Sequence, residues 1–239
     1  MARIALDNRG QVDVQVLESI LEAAHLPPGD VQLIVGDPLL ADDFQGMTIP
    51  RASVRSAANI YGLEDHLDRN WECGITIGPK WARSHAEFPA YFAYLVGHEC
   101  GHATTILNAP GLAVYEDLIV SCLPRVVSRR FRWDEFPHEI RYDQFGKAVA
   151  EVVCGSQRVA EEFARILQDG FADDEERLRK VLALTPNRQL SGLREELADF
   201  TRPHKGDLLA FWQEKRDRGG LSTAAGLPDL EWLWRGSAS

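Results

Sequence analysis

The chain has 239 residues, of which 45% are apolar and 26% are charged. These are ordinary globular values, and they exclude a largely disordered chain or a coiled rod. The 36 acidic residues outnumber the 26 basic ones, giving a formal net charge of −10. Because phosphate backbones are also negative, we expect no nucleic-acid partner.

Cysteine usage and hydropathy predict a soluble, cytoplasmic protein. The four cysteines lie far apart and form no CxxC pair, so they are expected to be reduced thiols in a reducing compartment. Charged residues near the start interrupt any signal-peptide segment, and no apolar run has the length of a bilayer span. We therefore expect no membrane partner.

The first third of the chain mixes helical and strand patterns. The elements predicted there are a helix at 11–26, a buried strand at 31–36, a loop at 39–49, a helix at 50–60 and a strand at 74–78. Pro79 ends the last of these strands, because proline cannot donate to a sheet ladder.

Helices dominate the rest of the chain. A long helix begins at 87–89, where proline is tolerated in the first turn, and ends at 108–111. Further helices are predicted at 112–123, 137–167, 174–184, 193–200 and 206–218. These patterns predict a helix-dominated α+β fold.

The long helix carries the sequence HECGH at 98–102, an HExxH motif. Its spacing places His98 and His102 on one helix face, one turn apart, where two imidazoles can bind one tetrahedral Zn²⁺. Glu99 lies about 100° round the helix from His98, so its carboxylate can reach a metal-bound water without being a ligand. We therefore predict that Glu99 is the general base.

Two glycines, one just before the motif and one within it, predict tight packing. Gly97 and Gly101 each disfavour a helix by roughly 1 kcal/mol, which suggests close approach of another element. Cys100 lies about 200° from His98, and we expect a small core residue there rather than a metal ligand.

This helix resembles the active-site helix of the zincin metallopeptidases, whose gluzincin-like members commonly have HExGH. The segment EIRYDQFG at 139–146 is similar to the ExxxD segment of gluzincins, including HtpX-like peptidases and, more loosely, ImmA/IrrE-type regulatory peptidases. The resemblance implies one Zn²⁺ per chain, with Glu139 as third ligand. It also implies that Asp143 holds the far nitrogen of His98 or His102.

Two other residues compete for the third ligand position. Glu116 lies in the apolar segment VYEDLIV, where a buried carboxylate needs a partner such as a metal. His138 could replace Glu139 and give a site of three histidines.

The resemblance also implies a substrate-binding strand and a donor to the tetrahedral oxyanion. Zincins align substrate along an edge strand just before the active helix. The residues that would serve this role are Gly74, Ile75, Thr76, Ile77 and Gly78. For the oxyanion donor we expect Tyr142, with Tyr115, Arg141 and His204 as alternatives.

The expected function is a zinc-dependent metallopeptidase acting on peptides or proteins, with residues 1–170 as a zincin-like catalytic region. Its small sheet would pack on the active-site helix, and residues 171–239 would form a C-terminal helical annex or continue the same domain. The alternatives are a regulatory or toxin-type zincin acting on one protein partner, and a latent metal-binding interaction protein. The oligomeric state stays open.

Overall fold

A computed structural model describes residues 1–38, 40–42, 44–50, 71–108, 137–171, 175–184 and 190–200, with backbone alone at 49, 50, 137–139 and 198–200. Within these ranges the fold is α+β and dominated by helices, so the predicted fold class is confirmed. No helix in the described ranges combines the length and apolar character needed to cross a membrane.

Four strands and seven helices make up the described part of the chain. The strands are β1 (Arg3–Asn8), β2 (Asp30–Val35), β3 (Gly46–Pro50) and β4 (Cys73–Ile77). The helices are α1 (Val14–Ala24), α2 (Pro79–Ser84), α3 (Pro89–Asn108), α4 (Pro137–Cys154), α5 (Ser156–Gln168), α6 (Glu175–Ala183) and α7 (Leu190–Phe200).

The sheet has the strand order β1-β2-β4-β3. β2 pairs in parallel with both β1 and β4, whereas β3 runs antiparallel to β4. Leu33, Thr48 and Ile75 are in register across three strands, and residues opposite one another share a sheet face. Strands β3 and β4 contact α3, and Thr48 on this face binds Glu99 of that helix.

Several local predictions differ from the structure, among them residues 79–84, where no helix is predicted and α2 lies. No element is predicted at residues 3–8, yet β1 lies there, partly exposed and without a long apolar run. The predicted loop at 39–49 is wrong in its last part, because β3 begins at Gly46 and Pro50 ends this strand. Proline is tolerated there because β3 is an edge strand. The rest of the helix predicted at 50–60 lies outside the described residues.

The helix predicted at 137–167 is two helices. Gly155 has a φ of +86°, a conformation that side-chain-bearing residues rarely adopt, and it separates α4 from α5. The helices predicted at 112–123 and 206–218 lie outside the described residues.

Helices α3 and α4 approach one another at three glycines. A Cβ atom on Gly97 would lie 2.9 Å from the Val149 Cβ, and one on Gly146 would lie 2.6 Å from the Tyr94 carbonyl oxygen. One turn further along α3, a Cβ on Gly101 would lie 3.1 Å from the Tyr142 ring. The prediction of close packing at residues 97 and 101 is therefore confirmed.

The start of α3 is capped by a carboxylate from another helix. Glu162 of α5 is buried, and its Oε1 accepts a hydrogen bond from the Tyr91 backbone N–H at 2.7 Å. This bond satisfies one of the donors that the first turn of a helix leaves unpaired. Burial raises the pKa of Glu162, and backbone hydrogen bonds from Tyr91 and Ala90 offset this only in part.

This raised pKa predicts a pH-dependent contribution of Glu162 to stability. Because the folded-state pKa lies above the ordinary value of 4.5, the folded state binds the proton more tightly than the unfolded state. The free energy of unfolding of the wild type, relative to Glu162→Gln, should therefore be largest below pH 4.5 and decline as pH rises through the folded-state pKa. Urea unfolding at several pH values measures this.

Glu161→Gln is the matched control, because Glu161 lies exposed on the same helix and accepts a bond from Gln157. A difference between wild type and Glu162→Gln that grows with pH would contradict the prediction.

The described part of the predicted C-terminal annex packs onto α3 and α4. At the end of α6, Lys147 of α4 donates to the carbonyl oxygens of Leu182 and Leu184, at 3.2 and 2.5 Å. In α7, Arg194 donates to the Ala23 carbonyl oxygen at 3.1 Å. Residues 175–200 therefore help to surround the site, whereas 201–239 lie outside the described residues.

Candidate metal centre

The two motif histidines converge in the middle of α3. The Nε2 atoms of His98 and His102 lie 3.1 Å apart. A tetrahedral Zn²⁺ with Zn–N distances of about 2.0–2.1 Å would separate two ligand nitrogens by about 3.3 Å. His98 is 5% exposed and His102 is half-buried. The two nitrogens are therefore at hydrogen-bond distance from one another, and this distance is also close to the spacing of two ligands to one metal ion.

The far nitrogen of His98 faces Asp143 on α4. The Nδ1 atom lies 2.9 Å from Asp143 Oδ1, and an ionised carboxylate can only accept hydrogen bonds. The proton of a neutral His98 ring is therefore on Nδ1, which leaves the Nε2 lone pair directed at His102. This is the arrangement that the resemblance implies for Asp143.

Asp143 is buried among three donors. Its Oδ1 atom accepts from the Tyr94 hydroxyl at 2.5 Å and from Arg177 at 2.8 Å, in addition to His98. Burial alone would raise the pKa of Asp143, but Arg177 and His98 outweigh burial and hold it below its ordinary value. The pKa of Tyr94 is raised well above its ordinary value, by burial and then by Asp143, so Tyr94 stays a donor.

Arg177 of α6 joins this cluster from the C-terminal region. Its Nη2 atom lies 2.8 Å from Asp143 Oδ1, and its Nε lies 3.3 Å from Oδ2. The same Nη2 is 3.2 Å from both ring nitrogens of His98. Because these two distances are equal, the amino group lies over the imidazole ring and not along the lone pair of either nitrogen.

Glu99 points towards the edge strand β3. Its Oε2 atom accepts a hydrogen bond from the Thr48 hydroxyl at 2.6 Å, and the same hydroxyl is 3.0 Å from the Glu99 carbonyl oxygen. A Cβ atom on Gly46 would lie 2.8 Å from Glu99 Oε1. The carboxylate, 7% exposed, is therefore held between α3 and β3.

The predicted substrate strand is wrong. Residues 73–77 form β4, which has β2 on one side and β3 on the other, so Gly74, Ile75, Thr76 and Ile77 have no open edge, and Gly78 lies just beyond the strand. Chain order does not reveal this, because β3 precedes β4 in sequence but lies outside it in the sheet. β3 is the edge strand next to Glu99.

The expectation that Tyr142 donates to the oxyanion is also corrected. Tyr142 is fully buried, and its hydroxyl donates to Thr105 Oγ1 at 3.1 Å, one turn beyond the motif. Its ring packs on His102 with centroids 3.8 Å apart. Tyr142 therefore fixes the ring of His102 from within the α3–α4 interface. Of the alternatives, Arg141 is half-buried on α4, and Tyr115 and His204 lie outside the described residues.

The candidates for the third ligand lie beyond the described side chains. Glu116 is outside the described residues, and for His138 and Glu139 only the helical backbone of α4 is described. Among the described side chains, no group of three His, Cys, Asp or Glu residues could hold a metal. Helical periodicity places residue 139 one turn before Asp143 on α4.

Cys100 is fully buried beside the motif. Burial, and secondarily Glu99, raises the pKa of its thiol to about 12, so it stays protonated and unreactive. The expectation of a small core residue at position 100 is confirmed.

The sequence patterns missed three residues of the site: Thr48, Tyr94 and Arg177. Tyr94 has a usable signal, because it lies four residues before His98 and therefore on the same helix face. The sequence predicts a loop at Thr48. Arg177 lies in the charged segment EERLRK, which is typical of a solvated helix. Only contacts between distant segments bring these two residues to the motif.

Comparison of the chain with protein families, curated proteins and solved structures found no match.

Proposed function

We propose that the protein is a zinc-dependent metallopeptidase. The observation that carries the proposal is the pair of Nε2 atoms 3.1 Å apart, with Asp143 on the far nitrogen of His98. Glu99 follows His98 in the motif and would be the general base. The resemblance of residues 98–102 and 139–146 to gluzincins supports the same function.

The donor set fits Zn²⁺. Imidazole nitrogens and a carboxylate are its usual ligands at catalytic sites, where three protein ligands leave one position open. His98 and His102 would hold the ion, with Glu139 as third ligand. Bound there, zinc acts as a Lewis acid that polarises a carbonyl group and lowers the pKa of water.

Glu99 would carry out the proton transfers, and Thr48 orients its carboxylate. The Glu99 carboxylate accepts a proton from the attacking water and returns it to the amine that leaves the cleaved peptide bond. The Thr48 hydroxyl binds Oε2 and thereby restricts rotation of the carboxylate. Burial around His98 and Glu99 limits competing water, which strengthens these hydrogen bonds.

β3 supports an extended peptide substrate. Within the described residues it pairs on one side only, with β4, so its outer backbone groups can add a strand. Thr48 lies on this strand and contacts Glu99. A peptide paired with β3 would therefore run beside the general base.

The first test is zinc content. Protein purified without chelator, or titrated with Zn²⁺ after treatment with one, should hold one zinc ion per chain by elemental analysis. A library of fluorogenic peptides should then report hydrolysis that stops when the metal is removed and resumes when zinc is restored. A chain that neither carries nor takes up zinc would refute the proposal.

The same titration identifies the third ligand. Loss of a residue that hydrogen-bonds a metal ligand weakens metal binding or activity by about 10- to 100-fold, and loss of a ligand should cost more. Zinc affinity should therefore fall strongly in Glu139→Ala, moderately in Asp143→Ala and little in Glu116→Ala. A large loss in Glu116→Ala, with Glu139→Ala near wild type, would reassign the ligand.

The burial of His98 and Glu99 favours a second candidate, a regulatory zincin that cleaves one protein partner. Broad hydrolysis of unrelated peptides would exclude this candidate. Zinc binding without turnover of the library would favour it.

A further inference from the structure

The Asp143 carboxylate depends on one positive side chain for its orientation. Of its three partners among the described side chains, the Tyr94 hydroxyl and His98 Nδ1 each reach only Oδ1, whereas Arg177 reaches both oxygens. A guanidinium that bonds both oxygens of a carboxylate fixes its plane as well as its position. Single bonds from Tyr94 and His98 leave the carboxylate free to rotate.

Arg177 also restrains the histidine directly. Its Nη2 atom is 3.2 Å from both ring nitrogens of His98, so the guanidinium lies against the ring while binding the carboxylate that orients this ring. Rotation of the His98 ring about its bond to Cβ would break its contacts with Arg177 and with Asp143.

The helix that carries Arg177 is fastened to α4 near both of its ends. Arg177 bonds to Asp143 near the start of α6, and Lys147 bonds to the carbonyl oxygens of Leu182 and Leu184 at its end. Leu178 and Val181 of α6 are buried in the core. Arg177 is thus placed by a packed helix and not by a free loop.

We propose that Arg177 is a positioning residue for the metal centre, acting through Asp143 to hold His98 with its Nε2 lone pair towards His102. The inference rests on the proposed function, in that His98 is taken as a zinc ligand. It makes the docking of α6 a condition for a well-formed site.

A purely electrostatic role and a positioning role of Arg177 predict opposite changes in zinc affinity when this residue is replaced. A cation near a metal ligand repels Zn²⁺, so an Arg177 that acted only by charge would weaken zinc binding, and its neutralisation would strengthen it. A positioning Arg177 makes zinc binding weaker when it is lost, by about 10- to 100-fold, as for other partners of metal ligands.

The experiment compares Arg177→Gln and Arg177→Lys with wild type. Lysine keeps the charge but cannot bind both carboxylate oxygens in one plane. Zinc affinity, measured by competition with a chromogenic chelator, should fall about 10-fold or more in both variants. Arg179→Gln is the matched control, because Arg179 is 61% exposed on the same helix and pairs with Glu175; it should bind zinc as the wild type does.

A second readout needs no zinc. In metal-free protein, ¹⁵N NMR of the His98 ring should show a single tautomer protonated at Nδ1 in wild type and Arg179→Gln, and a mixture of tautomers in both Arg177 variants. Near-ultraviolet circular dichroism checks that each variant is folded. If Arg177→Gln does not fold, Arg177→Lys carries the test.

The outcomes separate this inference from the proposed function. If the wild type binds no zinc, the proposed function fails, while the His98 tautomer still decides the role of Arg177. Tighter zinc binding in Arg177→Gln, or an Arg177→Lys with wild-type affinity and tautomer, would overturn the positioning role.

Discussion

Glu99→Gln should reduce peptide hydrolysis by about 10²- to 10⁴-fold, the usual contribution of a general base, while one zinc ion stays bound. Glutamine has nearly the same shape, and its amide oxygen can still accept the bond from the Thr48 hydroxyl. It has no carboxylate to take a proton from water. Initial rates on one fluorogenic peptide and zinc content of the same samples measure both halves of the prediction.

Two further variants give this prediction its controls. His102→Ala removes a ligand, so zinc and activity should be lost together. Thr48→Val keeps the shape of the side chain but cannot donate to Glu99, so the rate should fall less than in Glu99→Gln, with zinc retained. If Glu99→Gln released zinc from an otherwise unchanged fold, the assignment of Glu99 as base rather than ligand would be wrong.

Gly146→Ala should destabilise the protein by about 1–3 kcal/mol, the typical cost of overpacking a core, and should weaken zinc binding. The new Cβ atom would lie 2.6 Å from the Tyr94 carbonyl oxygen and 2.7 Å from the His98 backbone nitrogen. Both are main-chain atoms of α3, so the clash is relieved only if the two helices separate. Separation moves His98 away from Asp143, which links the loss of stability to the metal site.

Gly192→Ala is the control with the opposite sign. Gly192 lies in α7 with nothing within 4 Å of the added Cβ atom, so alanine should stabilise the protein by up to about 1 kcal/mol through helix propensity. Chemical unfolding of both variants and zinc titration of Gly146→Ala are the measurements. A Gly146→Ala protein as stable as Gly192→Ala would show that α3 and α4 can separate at little cost.

The sequence predicts the fold class because its strongest signals are local. Proline at the start of α3 fixes where this helix begins, and the short β-branched run at 31–36 gives β2 to within one residue. Where a signal is weak, the prediction is wrong: a partly exposed β1 has no apolar run, and β3 is a short strand of glycine, proline and three other residues.

The sequence also predicts the centre of the candidate site. His98, Glu99 and His102 come together because the period of one helix is enough to place them. Only the resemblance of residues 139–146 to gluzincins predicts a role for Asp143, and its Oδ1 atom lies 2.9 Å from His98 Nδ1. Tyr142 lies beside the histidines as predicted, but its role differs from the prediction. Sequence spacing does not reveal the direction in which a hydroxyl points.

The sequence by itself therefore determined the helix-dominated α+β class, the HExxH motif and the glycines that let α3 and α4 meet. Tertiary structure alone decided which strand is the edge, which hydroxyl holds Glu99, which carboxylate caps α3 and which arginine reaches Asp143. The physical reason is that these contacts join residues far apart in the chain: Thr48 to Glu99, Glu162 to Tyr91, and Arg177 to His98. Arg177 and Arg179 look alike in the sequence, and only the packing of α6 against α4 places one of them, half-buried, against the site and leaves the other in solvent.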